Sequence, residues 1–157
     1  MNEQAGAAPL RLAVQDDVAE LSRLFSQLGH PASASDLQAR WAPWSAAGNS
    51  ALVAARADGT LAGVAVLHST WVLHRPQPLG RVTALVVDEA ERGTGVGRRL
   101  VEAAEALFTQ AGCGMLEITS NIALVKAHAF YERIGYERTS WRLAKQLTAA
   151  LPDYGAR

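Results

Sequence analysis

Apolar positions change their spacing near the start of the chain. Residues 10–14 alternate between apolar residues and small or charged ones, which is typical of a strand with one buried face. Apolar residues then recur every three or four positions, at Val18, Leu21, Leu24, Phe25 and Leu28. This spacing predicts an amphipathic helix, with Asp16 and Asp17 as its cap and first-turn acids and Gly29 at its end. A second, short helix is predicted over 33–44, with Ser33 or Ser35 as its cap.

The centre of the chain has the pattern of a β-hairpin followed by another strand. Residues 51–57 and 61–71 are apolar runs, and Asp58-Gly59 between them is a typical hairpin turn. Pro76 and Pro78 interrupt the pattern over 73–80, because proline does not fit a central strand. Residues 82–87 form the next predicted strand.

The second half alternates helices with strands. A helix is predicted over 96–108, a strand over 115–119, and a helix over 125–134 that ends at Gly135. Residues 136–147 are predicted to supply the last strand or pair of strands. The order β-α-α-β-β-β-α-β-α-β indicates an α/β (α+β) protein with a mixed sheet and helices on both faces.

Composition limits the class of protein. The 157 residues are 49% hydrophobic and 19% charged with zero net charge, so no general basic surface points to nucleic acid or an anionic membrane. Residues 1–8 read as a disordered leader, 9–150 as one domain and 151–157 as a tail. The single cysteine excludes an intrachain disulfide and a cysteine-based metal cluster. No apolar run reaches the roughly 18 residues of a membrane span, and the start lacks a signal-peptide pattern, so a cytoplasmic location is expected.

A glycine-rich run lies between a predicted strand and a predicted helix. It reads Arg92-Gly93-Thr94-Gly95-Val96-Gly97. Backbone N–H groups of such a run can converge on one point, and the helix that follows adds unpaired N–H groups and the positive end of its dipole. The run therefore indicates a phosphate site, with Arg92, Arg98 and Arg99 as additional charges. The alternative is an ordinary glycine-rich turn.

The spacing of the run matches neither the dinucleotide pattern G-x-G-x-x-G nor the P-loop. Arg92, Gly95 and Gly97 instead resemble the acyl-CoA loop of the GNAT superfamily of N-acetyltransferases, [QR]-x-x-G-x-[GA]. The segment 130–136, Phe-Tyr-Glu-Arg-Ile-Gly-Tyr, resembles the superfamily's late motif, [FL]-Y-[ED]-[KR]-x-G-[FY]. Together with the first strand and its acidic helix start, the resemblance covers residues 10–147.

The resemblance implies a GNAT-like, mostly antiparallel sheet of six to seven strands. It implies transfer of an acetyl group from acetyl-CoA, without a metal, to the primary amine of a small molecule or amino-acid-like acceptor. A larger acyl group from another acyl-CoA is the alternative donor. The amine would attack directly. A non-catalytic acyl-CoA-binding module of the same fold is the alternative, and a nucleotide-binding α/β protein is a more distant one.

The resemblance also assigns the cofactor contacts. In the superfamily the sheet splays beside the fourth strand and pantetheine pairs with that strand, with a backbone N–H, here assigned to Val86, polarising the thioester. The pyrophosphate would lie on the glycine run, with Arg98 opening the helix and Asn121 facing the CoA. The cofactor-binding residues are thus Leu85, Val86, Val87, Arg92, Gly93, Thr94, Gly95, Val96, Gly97, Arg98 and Asn121.

Catalysis needs a proton donor and a proton acceptor. Tyr131 of the late motif is the candidate general acid, because a phenol of pKa about 10 can protonate a departing thiolate of pKa about 8.5. Many relatives carry an acidic residue before the Leu-Val-Val of the fourth strand, where this chain has Thr83 and Ala84. The general base is therefore open among Glu117, His74, His128 and water.

The acceptor site is expected among the first two helices and the loop after the third strand. These segments contain the aromatic or imidazole side chains His30, Trp41, Trp44, Trp71 and His74, which would form an aromatic wall or simply fill the core. Asp36 is the only acid between Arg23 and Asp58, so a small amine is favoured over a polycation. Dimers are common among relatives, which makes a homodimer the expected assembly.

Overall fold

The computed structural model describes residues 7–147. They contain one five-stranded sheet in the order β1-β2-β3-β4-β5. Its strands are β1 (Leu10–Leu12), β2 (Asn49–Ala55), β3 (Leu61–Thr70), β4 (Leu79–Val87) and β5 (Met115–Ile118). The first four strands pair antiparallel, and β5 pairs with β4 in parallel.

Four helices cover the two faces of the sheet. They are α1 (Val18–Gln27), α2 (Ala34–Ala46), α3 (Val96–Gln110) and α4 (Val125–Arg133). On one face α1 and α2 pack over β2 and β3, and on the other face Leu100, Ala104 and Phe108 of α3 pack against Ala65, Leu67 and Val82. This mixed architecture confirms the predicted fold class, and the element order agrees with the prediction as far as α4.

Local chemistry explains the predicted element ends. Ser33 caps α2, because its hydroxyl accepts a 3.1 Å hydrogen bond from the N–H of Asp36. Gly59 has a φ of +86° in the hairpin turn, a conformation that favours glycine. Asp17 differs from the prediction: its carboxylate makes no cap bond to α1 but accepts from the N–H of Val14 and from Arg11.

The β4–β5 edge of the sheet opens halfway along β4. The paired residues run from Leu79 and Met115 to Val82 and Ile118, whereas β4 continues to Val87. The register between β3 and β4 shifts at this point, so that Thr83 is a bulged residue without a cross-strand partner. Among residues 7–147, β4 pairs only with β3 beyond the bulge, and its other edge is free over 84–87.

The predicted last strand is wrong for the described residues. Residues 137–147 are exposed and contain no strand, so the sheet has five strands there rather than six or seven. Trp141 and Leu143 of this segment are 83% and 92% exposed. Apolar and polar residues alternate in this segment as in a strand. Among the described residues, however, no strand pairs with it to bond its backbone N–H and C=O groups. The predicted leader and tail lie largely outside the described residues.

Candidate functional site

The glycine run joins the end of β4 to the start of α3 through two left-handed glycines. Gly93 has a φ of +80° and Gly95 a φ of +92°, and α3 begins at Val96. A Cβ atom added at Gly95 would meet no atom within 4 Å, so the space above the run is open. The first N–H groups of α3 have no intrahelical acceptor. A helix start that follows such a glycine run is a typical anion-binding arrangement.

The three arginines beside the run have different surroundings. Arg92 is exposed and its Nε lies 3.4 Å from the carbonyl oxygen of Val87. Arg98 is exposed and pairs with Glu102 at 2.8 Å, one helical turn along. Arg99 instead donates to the carbonyl oxygen of Ala8 at 2.8 Å and is directed towards the start of β1. Arg92 and Arg98 are thus exposed beside the run, whereas Arg99 is engaged by Ala8, and the expectation for Arg99 is wrong.

The open edge of β4 presents the backbone groups of alternate residues. The N–H of Asp88 donates to the carbonyl of Ala62 on β3 at 2.9 Å. Since N–H directions alternate along an antiparallel ladder, the N–H of Val86 also points towards β3. Leu85 and Val87 direct their N–H groups to the free edge. The N–H of Val86, to which the sequence analysis assigned the thioester, therefore faces β3 and not the free edge.

Gly97 is the point where β4, α3 and α4 meet. A Cβ atom there would lie 3.2 Å from Cγ2 of Val87 and 3.6 Å from Cζ of Phe130. Phe130 is therefore a packing residue. This contact brings α4, and with it Tyr131, to the N-terminal end of α3.

Tyr131 lies partly buried on α4. Its ring centroid is 6.2 Å from that of Tyr136, in an edge-on arrangement. Burial raises the pKa of Tyr131 above its usual value, so the phenol remains protonated at neutral pH. The protonated phenol is the form that a general acid requires.

Asn121 forms a turn rather than a helix cap. Its Oδ1 accepts a 2.9 Å hydrogen bond from the N–H of Ala123, and α4 starts at Val125 without a side-chain cap. Its carbonyl oxygen lies 2.9 Å from Nε2 of His128. Asn121 therefore does not cap α4, and His128 is already engaged by this contact.

The other two candidate bases lie apart from each other. Glu117 accepts a 2.8 Å hydrogen bond from Nη2 of Arg81, its cross-strand neighbour. His74 is exposed in the loop that enters β4 at Leu79, the end of the strand opposite the glycine run. The structure therefore does not bring His74 to the open edge of β4.

His68 on β3 is a candidate residue that the sequence analysis did not identify. Nδ1 of His68 on β3 is 2.8 Å from Oδ1 of Asn49 on β2. The Nδ2 of Asn49 donates to the carbonyl of Trp44 at 2.8 Å, which orients its Oδ1 towards the imidazole. Nδ1 must then carry a hydrogen, and Nε2 takes no part in this contact. His68 pairs across the strands with Arg81, so Asn49, His68, Arg81 and Glu117 form one polar row on the face covered by α1 and α2.

The predicted aromatic wall is not one surface. Trp41 and Trp44 form a pair with ring centroids 5.3 Å apart and pack against the core between α2 and the sheet. Trp71 is 71% exposed just after β3. The core-filling alternative is therefore correct for Trp41 and Trp44.

The described residues show neither a metal cluster nor a membrane span. Within 7–147 no group of three His, Cys, Asp or Glu side chains is arranged to hold a metal ion. No helix in this part of the chain has the length and apolar character that crossing a membrane would require.

Curated relatives of the chain are acetyltransferases of amine compounds. It is 36% identical over 90 residues to aminoalkylphosphonate N-acetyltransferase of Salmonella typhimurium, covering 57% of this chain and 58% of that protein. It is 37% identical over 100 residues to blasticidin-S acetyltransferase of Streptomyces morookaense, covering 61% and 59%. The chain thus spans a little under three fifths of the length of these relatives.

Solved structures share the fold across almost their whole length. The acetyltransferase of Trypanosoma brucei superposes with a TM-score of 0.78 at 24% identity, covering 88% of this chain and 99% of that one. A GNAT family acetyltransferase of Staphylococcus aureus gives 0.77 at 20% identity, covering 90% and 100%. At these identities the likeness shows the fold. The family model described as acetyltransferase (GNAT) family matches residues 16–136, and the chain therefore belongs to the GNAT family of acetyltransferases.

Proposed function

We propose that this protein transfers an acetyl group from acetyl-CoA to the primary amine of a small molecule or amino-acid-like acceptor. The observation that carries the proposal is the continuous path from the free edge of β4 over 84–87 to the open glycine run and the start of α3. A pantetheine arm is extended and rich in amide groups, so it can pair with the free edge as an added strand would. Its diphosphate then reaches the N–H groups of the run.

The donor contacts follow from the direction of the backbone groups. Leu85 and Val87 offer N–H and C=O groups to the pantetheine, while Val86 between them holds the strand to β3. The N–H of Leu85 polarises the thioester carbonyl and stabilises the oxyanion that forms on it. The run from Arg92 to Gly97 binds the diphosphate, Arg98 adds charge beside it, and Asn121 borders the CoA.

A proline scan of β4 tests this donor assignment. Leu85→Pro removes an N–H that makes no bond to β3, so the fold tolerates it, whereas Val86→Pro removes a ladder bond and destabilises the sheet. We expect Leu85→Pro to lower kcat by about a hundredfold while circular dichroism shows a folded protein. A folded Leu85→Pro variant with the kcat of the unmodified protein would remove Leu85 from the oxyanion site.

Tyr131 is the proposed general acid of the reaction. The amine attacks the carbonyl carbon, the C–S bond of the tetrahedral intermediate breaks, and the phenol of Tyr131 donates its proton to the thiolate. The raised pKa of Tyr131 keeps that proton available. The packing of Phe130 on Gly97 places α4 beside the run that would hold the cofactor.

His68 is the proposed proton acceptor for the attacking amine, acting through water. The Asn49 contact leaves its Nε2 as an acceptor, and histidine is the side chain that ordinarily exchanges protons near neutral pH. Ala65, the cross-strand partner of Leu85, is three residues from His68, roughly 10 Å along the strand. The free edge lies on the other side of β4 from β3, so the acceptor amine and a chain of waters would connect it to His68. Glu117 is held by Arg81, and His128 by the Asn121 carbonyl.

The acceptor is proposed to be a small amine rather than a polycation. Glu117 is the one carboxylate of the polar row, and Arg81 neutralises it. A polycationic acceptor would need several unpaired carboxylates around it. The names of the relatives cover aminoalkylphosphonate, aminoglycoside and blasticidin-S acceptors, and the lack of unpaired carboxylates in the polar row argues against the polycationic aminoglycosides.

A non-catalytic acyl-CoA-binding module is the second candidate function. The absence of an acid at Thr83 and Ala84 favours it, and the presence of Tyr131 opposes it. Both candidates predict tight binding of CoA. Only the enzyme releases free thiol from acetyl-CoA when an amine is added.

We also propose a homodimer formed by exchange of the segment 137–147. This segment is exposed, and Trp141, Leu143 and Leu147 recur on one side of its two-residue period. The outer edge of β5 pairs with no strand among the described residues. Adding the segment of a second copy to that edge would bury the apolar side chains and satisfy both backbones.

Light scattering of the full chain tests the dimer. We expect twice the monomer mass for the unmodified protein and a monomer for Leu143→Lys, while Arg142→Gln on the other side of the segment leaves the mass unchanged. A monomeric unmodified protein at micromolar concentration would contradict the exchange.

A further inference from the structure

Asp88, the first residue after β4, is the centre of an ion-pair network beside the glycine run. One carboxylate oxygen lies 3.1 Å from both Arg23 of α1 and Arg56, which follows β2. The other oxygen accepts from the N–H of Ala90 at 3.3 Å and from Gln27 at 3.4 Å. The side chain of Asp88 is only 13% exposed. Burial alone would raise its pKa, but the hydrogen bonds from Arg56, Ala90 and Gln27 outweigh it and lower the pKa, so the carboxylate is charged.

A second carboxylate carries the network into the run. Arg56 donates to Oε1 of Glu91 from Nε at 3.3 Å and from Nη2 at 3.2 Å. The hydroxyl of Thr94 lies 3.3 Å from Oε2 of Glu91 and donates to its carbonyl oxygen at 2.6 Å. Thr94 lies between Gly93 and Gly95. Arg56 is therefore connected to the run through one side chain, that of Glu91.

The other end of the network is anchored on rigid elements. Arg23 donates to the carbonyl of Leu61 at 2.8 Å, and Arg56 donates to the same carbonyl at 3.1 Å. Gln27 accepts from the N–H of Glu89 at 3.0 Å. Helix α1, the β2–β3 hairpin and the segment before the run are thus fixed to one another by charge-assisted bonds.

The network also solves an electrostatic problem of the proposed cofactor site. Three acids precede the run by only a few residues: Asp88, Glu89 and Glu91. Their negative charges would repel a diphosphate held on the run. Arg23 and Arg56 pair with Asp88 and Glu91 and so reduce this repulsion.

We propose that Arg56 and Asp88 are positioning residues for the diphosphate loop: through Glu91 and Thr94 they hold the run in its binding geometry and neutralise the acids beside it. This inference rests on the proposed acetyl-CoA site. Neither residue touches the reacting atoms. Their loss should therefore weaken cofactor binding far more than it slows the chemical step at saturating cofactor.

The test compares Arg56→Met and Arg56→Lys in the full chain by calorimetric titration with CoA. We expect the Kd for CoA to rise about tenfold in Arg56→Met, equivalent to roughly 1.4 kcal/mol, and to recover in part in Arg56→Lys, which restores the charge. The KM for acetyl-CoA should rise by a similar factor, with a much smaller change in kcat. Arg11→Met is the matched control, because it removes the ion pair with Asp17 far from the run.

Hydrogen exchange of the free protein gives a readout that needs no ligand. The backbone amides of 92–97 should exchange faster in Arg56→Met and unchanged in Arg11→Met. A folded Arg56→Met variant with unchanged Kd for CoA and unchanged exchange would overturn the inference. If the unmodified protein does not bind CoA, the proposed function fails, and the exchange experiment still decides whether the network orders the run.

Discussion

The hydroxyl of Tyr136 donates a 2.8 Å hydrogen bond to Oε1 of Glu105 and thereby ties the end of α4 to the middle of α3. The two residues are separated by an entire strand and helix in the sequence. Tyr136 also contacts the ring of Tyr131 edge-on. Together with the Phe130–Gly97 contact, this bond fixes the orientation of the helix that carries the proposed general acid.

Tyr136→Phe should therefore affect both stability and catalysis. The variant keeps the ring contact but loses the hydrogen bond to a carboxylate, which should lower the free energy of unfolding by about 1 kcal/mol. We expect kcat to fall severalfold, because α4 is held less firmly. Urea unfolding and steady-state kinetics measure the two effects. Glu105→Gln retains an acceptor and should change both quantities less; equal losses in the two variants would contradict the positional role of the bond.

Gly95→Ala should weaken cofactor binding by more than its loss of stability explains. The φ of +92° strains any side chain, and the new methyl group would enter the open space above the run. Gly59→Ala is the control, since Gly59 has a φ of +86° and open surroundings but lies in the hairpin turn. Both variants should lose about 1 kcal/mol of stability. Only Gly95→Ala should raise the KM for acetyl-CoA, and an equal KM in both variants would remove the run from the binding site.

His68→Gln should slow the reaction if His68 accepts the proton of the attacking amine. Arg81 is the charged cross-strand neighbour of His68, with Glu117 beyond it, and Asn49 on the other side is uncharged. The glutamine variant should lose about a hundredfold in kcat/KM at neutral pH, whereas His74→Gln should not. An unchanged kcat/KM in His68→Gln would return the base to Glu117 or water.

Acid should destabilise the fold through Asp17. The hydrogen bond from Arg11 lowers the pKa of Asp17 below its usual 3.8, although burial opposes the shift. A carboxylate with a lowered folded-state pKa stabilises the protein above about pH 4, and this contribution is lost as the pH falls through the folded value. When the pH falls from 6 to 3, the free energy of unfolding should therefore decrease less in Asp17→Asn than in the unmodified protein, as measured by urea unfolding. Parallel losses would show that Asp17 does not contribute.

Features encoded by neighbouring residues could be predicted from the sequence. The Asp58-Gly59 hairpin, the Ser33 cap and the glycine run before α3 each depend on a few adjacent residues, and the structure shows all three. The late motif and the run together were also sufficient to identify the family.

Features that depend on pairing between distant segments could not be predicted. The bulge at Thr83 decides which N–H groups face the open edge of β4, and no local signal fixes it. The Asn49–His68 contact joins two strands, although the alternation of Val64, Val66 and His68 indicates that these three side chains share a face. The segment 137–147 has the alternating pattern of a strand, but a strand also needs a neighbouring strand with which to form hydrogen bonds, and the pattern does not show whether one is present.

The most direct test of the proposed function is release of free thiol from acetyl-CoA in the presence of a panel of small amines. The panel should include aminoalkylphosphonates and amino-acid-like amines, with Tyr131→Phe measured beside the unmodified protein. We predict amine-dependent release by the unmodified protein and a kcat about a hundredfold lower in Tyr131→Phe, with little change in the KM for acetyl-CoA. Tight binding of CoA without thiol release from any amine would contradict the enzyme and favour the binding module.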